Sequence, residues 1–189
     1  TWSNSSSRES SPRWESRSTR PAGVAARAEA SVRLGLVSDT HGLLRPEVFE
    51  AFEGVDRILH AGDVGDEEIL VELEAIAPVT AVWGNVDGFA LRQRLPEVAR
   101  LDLEGVAVAI VHGQQFGSPT PAAVARAHPD AALVVFGHSH EPVIERVGQV
   151  LAVNPGSAGP ARFGLPVAVA IATILDRKVS AERVELIRR

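Results

Sequence analysis

From Ser31 onward the apolar positions follow two rhythms: alternate residues in short runs, and every third or fourth residue in longer ones. The first marks strands and the second helices, because successive side chains flip across a strand but return to one helix face each turn. On that basis VRLGLVSD (32–39), DRILHAGD (56–63), VTAVWGN (79–85) and AALVVFGH (131–138) read as strands. RPEVFEAFEG (45–54) reads as a short helix with Pro46 in its first turn. DEEILVELEAIA (66–77) is helical, capped by Asp66, with Ile69, Leu70, Leu73 and Ile76 along one face. PTPAAVARAHP (119–129) is a further helix, ending near His128. VARLDLEGVAVAIVHG (98–113) reads as two strands joined around Glu104–Gly105. The remainder reads as strands and turns, and the β-branched LPVAVAIATIL (165–175) as a buried strand. This is an α/β order with a mostly β finish, which predicts two packed sheets with helices outside.

The first thirty residues break both rhythms. They are rich in Ser and Arg, without periodic apolar positions or the apolar h-region of a secretory signal, so 1–30 reads as a disordered extension and 31–189 as one domain. The chain has no Cys, which removes disulfides and thiolate-bound zinc from consideration. No apolar run approaches the roughly 20 residues of a membrane span, and the expected address is the cytoplasm. A net charge of −5 argues against general nucleic-acid binding. Self-association between copies stays open.

Chemistry collects where the strand-like runs end. SDTHG carries Asp39 and His41, AGD carries Asp63, WGNVD carries Asn85 and Asp87, VHG carries His112, and GHSH carries His138 and His140. The motifs begin 22 to 27 residues apart, about one β–α or β–β unit each. Open α/β sheets gather ligands at the carboxyl ends of their strands, so this spacing brings four of the six histidines to one rim. In extended backbone, side chains two apart share a side; His138 and His140 are then expected to converge while Ser139 faces away. Gly42, Gly62, Gly84, Gly113 and Gly137 flank these residues, where the chain must turn sharply or approach a ligand closely.

DTHG, GD, GNVD, HG and GHSH, in this order, resemble the calcineurin-like metallophosphoesterase superfamily. The shortness of the chain and NPGS (154–157) resemble its small YfcE-type phosphodiesterase branch. The resemblance implies a four-layer α/β/β/α sandwich of two mixed sheets and a binuclear metal centre hydrolysing a small phosphate ester, most simply a phosphodiester. One metal would take Asp39, His41, Asp63 and His140; the other would take Asp63, Asn85, His112 and His138, with Asp63 bridging. Asp39, Asn85 and His112 are the implied catalytic residues, through a hydroxide held between the ions. Mixed carboxylate, imidazole and amide donors suit two divalent transition-metal ions, Mn²⁺ first, with Fe, Zn²⁺ or Ni²⁺ also compatible. One branch of the same superfamily, the retromer subunit, uses the fold as a non-catalytic scaffold for protein interaction, and its relatives have lost part of the metal set. All seven positions are intact here, which favours the enzyme.

One departure stands out. Many superfamily members carry His directly after the motif Asn, near phosphate oxygens or the leaving group; here that place is Val86, which has no proton to give. Asp87 is expected to serve the turn, since an ionised carboxylate would repel phosphate. His60 reads as a core or supporting residue, and Asn154 and Ser157 as turn residues beside the site. Gln114, Gln115 and Ser118 are candidate pocket lining, and Arg162 a candidate partner for substrate charge.

Overall fold

The computed structural model describes residues 31–162 and 164–186; the 1–30 extension lies outside the described residues. Two five-stranded mixed sheets form the centre. The first has the order β10-β9-β1-β2-β3, with β1 (Val32–Val37), β2 (Arg57–His60) and β3 (Val79–Ala81) parallel. Its other strands, β9 (Ala168–Leu175) and β10 (Lys178–Glu185), join antiparallel. The second sheet has the order β4-β5-β6-β8-β7. Here β5 (Val106–Val111), β6 (Leu133–Val135) and β8 (Val150–Asn154) are parallel, edged by β4 (Val98–Leu103) and β7 (Val143–Val147).

The period-two pattern decides what each face meets. Leu34 and Leu36 of β1 point between the sheets, against Val108, Ile110, Leu133, Val135 and Val153 of the second. Val37 faces outward, toward Val48 and Phe52 around α1 (Pro46–Ala51) and Ile69, Leu70 and Leu73 of α2 (Glu67–Glu74). Between them, Gly35 leaves room for the Phe52 ring, which lies 3.0 Å from where a Cβ would stand. On β6 and just past its end the alternation continues: Val134 and Phe136 turn away from the inter-sheet core toward Val124 and Ala125 of α4 (Pro121–Ala127). Each such burial contributes about 1.5–3 kcal/mol. The result is the expected α/β/β/α sandwich.

Local signals behave as the residues dictate. The Asp66 side chain accepts from Glu68 N–H at the start of α2, and Thr120 does the same for Ala123 N–H at α4. His128 closes α4. The β4–β5 hairpin turns at Glu104 and Gly105, both left-handed at φ 52 and 75. Two expectations are corrected. The strand readings ran too long: β1, β2, β3 and β6 end before Asp39, Asp63, Asn85 and His138. A helix also went unread, α3 (Phe89–Arg94), in which Leu91 is the one buried residue, so no apolar stripe announces it.

Candidate metal centre

All seven ligand candidates gather at one rim. Asp39 and His41 follow β1, Asp63 follows β2, Asn85 follows β3, His112 follows β5, and His138 and His140 follow β6. Ligand atoms of Asp39, His41 and His140 form one cluster, and those of Asp39, Asp63 and His112 a second. His140 Nε2 lies 3.2 Å from Asp39 Oδ1 and 3.3 Å from His41 Nε2. Asp63 Oδ2 sits between the halves, 3.9 Å from His41 Nε2 and 3.3 Å from His112 Nε2. Asn85 Oδ1 reaches His112 Nε2 at 3.2 Å, and the His138 ring meets His112 edge-on, centroids 5.2 Å apart. Asp39, Asp63, His112 and His140 are buried, whereas Asn85 is exposed, so the cluster opens on the Asn85 side.

The route to this convergence differs from the expected one. His138 and His140 do not lie on extended backbone: their φ values are 72 and 58, and Asp39, His41 and Asp63 are left-handed too, at 55, 49 and 52. The two histidines therefore separate, His138 toward His112 and His140 toward His41. Such conformations are costly for non-glycine residues and persist where surrounding contacts over-determine them. Those contacts are present. Asp39 N–H donates to Gly62 O, His41 N–H to Asp63 O and Gly42 N–H to Val64 O, stitching two loops together. Close approach also requires absent side chains: a Cβ on Gly84 would overlap Asp63, and one on Gly137 would overlap Ser38 Oγ and Asp39 Oδ2.

Hydrogen-bond direction defines the chemistry. His112 Nδ1–H donates to Ala61 O at 2.8 Å, so Nε2 presents its lone pair, facing Asp63 Oδ2 and Asn85 Oδ1. Three acceptors then point at one place, which a proton or a cation must reconcile. Burial lowers the His112 pKa, but the close Asp63 carboxylate, the Asp39 charge and the bond to Ala61 outweigh it and raise it above the ordinary value. Burial likewise pushes Asp63 up, yet His112, the Val86 N–H and His41 hold its carboxyl below the usual range. His41 is lowered, chiefly by burial, with Arg162 and His140 adding to that against Asp63 and Asp39. Among the described residues no Lys or Arg pairs with Asp39 or Asp63; their close basic neighbours are imidazoles. Buried carboxylates, imidazole lone pairs and an amide oxygen without a fixed cation fit divalent transition metals.

A ring of supporting residues holds these loops. Gly62 N–H donates to His60 Nδ1 at 3.1 Å, so Nε2 carries the hydrogen and donates to Thr40 Oγ1 at 2.9 Å; Thr40 in turn donates to Val64 O. Both ring nitrogens of the buried His60 are thus committed to the ligand loops. Burial drives its pKa down to about 4. Asp87 accepts from Gly65 and Gly84 N–H, both at 2.8 Å, which is the turn role expected of it. Asn154 donates to Gly137 O and Ser139 Oγ, and Ser157 Oγ donates to Asp39 O. Sequence reasoning missed Arg92. Its guanidinium donates to Asp87 O at 2.8 Å and Asn85 O at 2.6 Å, and its Cζ lies 4.8 Å from the centre of the Trp83 ring. A lone Arg in an unread helix gives no signal of that reach. Val86 donates its N–H to Asp63 Oδ1, and the residue is 52% exposed. Gln114 to Phe116 form a 3₁₀ turn beyond His112, and Arg162 is exposed.

The "Calcineurin-like phosphoesterase superfamily domain" profile matches residues 32–177. A "Probable metallophosphoesterase" of Methanothermobacter thermautotrophicus is 35% identical over 156 residues, covering 79% of this chain and 90% of the relative. A phosphodiesterase of Methanocaldococcus jannaschii is 29% identical over 152 residues, covering 71% of this chain and 89% of the relative. Among solved structures, Vacuolar Protein Sorting 29 of Cryptosporidium parvum superposes with a TM-score of 0.70 at 19% identity, covering 82% of this chain and 97% of that one, a likeness of fold. No helix among the described residues is long and apolar enough to cross a membrane. The motifs, the sandwich and the family match meet in one statement: this chain belongs to the calcineurin-like phosphoesterase superfamily.

Proposed function

We propose that this metallophosphoesterase is a phosphodiesterase working with two divalent transition-metal ions, Mn²⁺ first among them. Asp39, His41, Asp63 and His140 would hold one ion; Asp63, Asn85, His112 and His138 would hold the other. The observation that carries this reading is the convergence of His112 Nε2, Asp63 Oδ2 and Asn85 Oδ1, three acceptors on one point. When bound, two such ions supply an acidified water and neutralise phosphate oxygens.

The chain's own residues set the rest. Asp63 stands between the two histidine groups, and the Val86 N–H fixes its Oδ1. The Ala61 carbonyl keeps the His112 hydrogen on Nδ1. Val86 offers the departing oxygen no proton, which supports substrates whose leaving group departs without help. The phosphodiesterase among the relatives supports the diester class. The complete set of seven ligand candidates supports catalysis over a purely scaffolding role for this fold.

The test is hydrolysis of matched phosphodiesters and monoesters by protein stripped with chelator and reloaded with one metal at a time. Activity that vanishes on stripping, returns with Mn²⁺ and favours diesters is the expected result. Turnover indifferent to stripping, or none with any metal despite two bound equivalents, would overturn it.

A further inference from the structure

The opposite end of the molecule carries a second polar site. A cavity of about 560 Å³ opens among the α4–β6 loop, the β7–β8 hairpin and the β9–β10 hairpin. Ala132 lines it, one residue before β6, whereas His138 follows the same strand. The length of β6 and the loop after it lie between the two, and the lining includes none of the ligand candidates, so this cavity is distinct from the metal centre.

Its lining is basic within an acidic chain. Arg146, Arg177 and Lys178 border it with Asp130 as the one carboxylate, while the whole protein carries −5. None of the three cations makes an ion pair among the described residues; the Arg–Glu pairs there are Arg94–Glu67 and Arg183–Glu185. The Arg146 guanidinium donates to Val179 O at 2.8 Å, which sets it against the start of β10.

Arg177 is the telling residue. Asp176 and Arg177 make the two-residue turn between β9 and β10, both left-handed at φ 50 and 61. Turns of this kind favour glycine at the second position. The neighbouring β4–β5 hairpin follows that preference with Glu104–Gly105. The two turns touch: a Cβ on Gly105 would lie 3.2 Å from Arg177 Nε. One hairpin thus takes the relaxed residue and the other an arginine in a strained conformation, with its guanidinium over the glycine. Strain kept against an easy alternative points to function.

We propose that this cavity binds a compact soluble polyanion bearing adjacent phosphoryl groups, gripped by Arg177, Arg146 and Lys178. Planar guanidinium groups match phosphoryl oxygens two at a time, and Lys178 adds a point charge. The inference stands apart from the metal chemistry.

The test is a titration of the Zn²⁺-loaded, diamagnetic protein with inorganic pyrophosphate at constant ionic strength, followed by amide ¹H–¹⁵N shifts. Gly105, Gln149 and Lys178 are expected to shift saturably, separately from any response at Asn85 and Val86. Arg177→Gly relieves the turn, so it is expected to raise Tm, leave phosphoester hydrolysis unchanged and weaken pyrophosphate at least about tenfold at these amides. Lys178→Gln, outside the turn, is expected to weaken it several-fold. No saturable shift in the wild type, or wild-type affinity in Arg177→Gly, would overturn the proposal. Lost binding with a lowered Tm would overturn it as well, since the arginine would then be supporting the fold.

Discussion

His41 and His140, ninety-nine residues apart in the chain, face each other through their Nε2 atoms at 3.3 Å. A neutral imidazole nitrogen either carries a hydrogen or offers a lone pair, so one hydrogen or one cation can lie between the two. Asp39 Oδ1, 3.2 Å from His140 Nε2, is buried and accepts no hydrogen bond among the described residues. The half of the site built from β1 and β6 is therefore arranged around a positive charge, as is the half built around His112.

Removing single members should resolve these halves. Elemental analysis after Mn²⁺ reloading is expected to give two equivalents per chain for the wild type. Asp63→Ala should bring that below one, because its carboxylate serves both halves. His41→Ala should keep about one. Full retention by Asp63→Ala would rule out a shared carboxylate.

Val86→His tests the departure from the family pattern. Val86 is exposed, so an imidazole fits without repacking. General acid help is typically worth 10²–10⁴-fold when hydrogen-bond reach is met. The expected outcome is a gain of about tenfold or more on alkyl esters, less on aryl esters, with a new acid-side dependence of rate. An unchanged aryl-to-alkyl ratio, in a variant holding both metals, would show that the leaving group needs no such help.

Arg92→Ala should loosen the Asn85 loop without unfolding the protein, since the guanidinium holds two loop carbonyls from an exposed position. Residues that orient ligands typically change metal affinity 10–100-fold, so one of two binding steps in calorimetry is expected to weaken about tenfold and the other to stay. Lys at 92 should rescue little, having one head group for two carbonyls. Equal weakening of both steps would mean a general loss of stability.

His60 makes the metal-free fold acid-sensitive. Its folded pKa is about 4, against 6.5 for an ordinary histidine. The unfolded chain binds the proton more readily, so the stabilisation is complete above pH 6.5 and is lost as pH falls toward 4. The range amounts to about 3 kcal/mol. Thermal melts of stripped protein between pH 7 and 4 should show a shallower decline for His60→Gln than for the wild type. Parallel declines would place the sensitivity elsewhere, as at His128, which burial and Arg100 also lower.

Much of this molecule is written in short-range patterns. Asp66 capping α2 and the Glu104–Gly105 turn are local chemistry, so they are legible from a few neighbouring residues. The parity of Leu34 and Leu36 against Gly35 and Val37 needs only the strand period. The seven ligand candidates stand out because their residue types recur at strand ends in an order that resembles one superfamily. What stayed hidden depends on distant partners. Nothing in the HSH triplet says that His138 and His140 are left-handed, because the Gly137 and Asp39 contacts that hold them come from elsewhere in the fold. Arg92 is silent for the same reason: its partners are carbonyls, which every residue possesses.

The left-handed residues of the metal centre carry a consequence for descent. Each costs on the order of 1 kcal/mol relative to a relaxed backbone, and five of the seven ligand candidates are of this kind. Against a typical total of 5–15 kcal/mol, that is a standing load, tolerable while selection rewards hydrolysis. A lineage released from hydrolysis would recover that backbone cost wherever glycine replaced one of them, against the contacts the lost side chain had made. Strain at these five positions and ligand geometry are thus two readings of the same backbone: what relaxes the one removes the other.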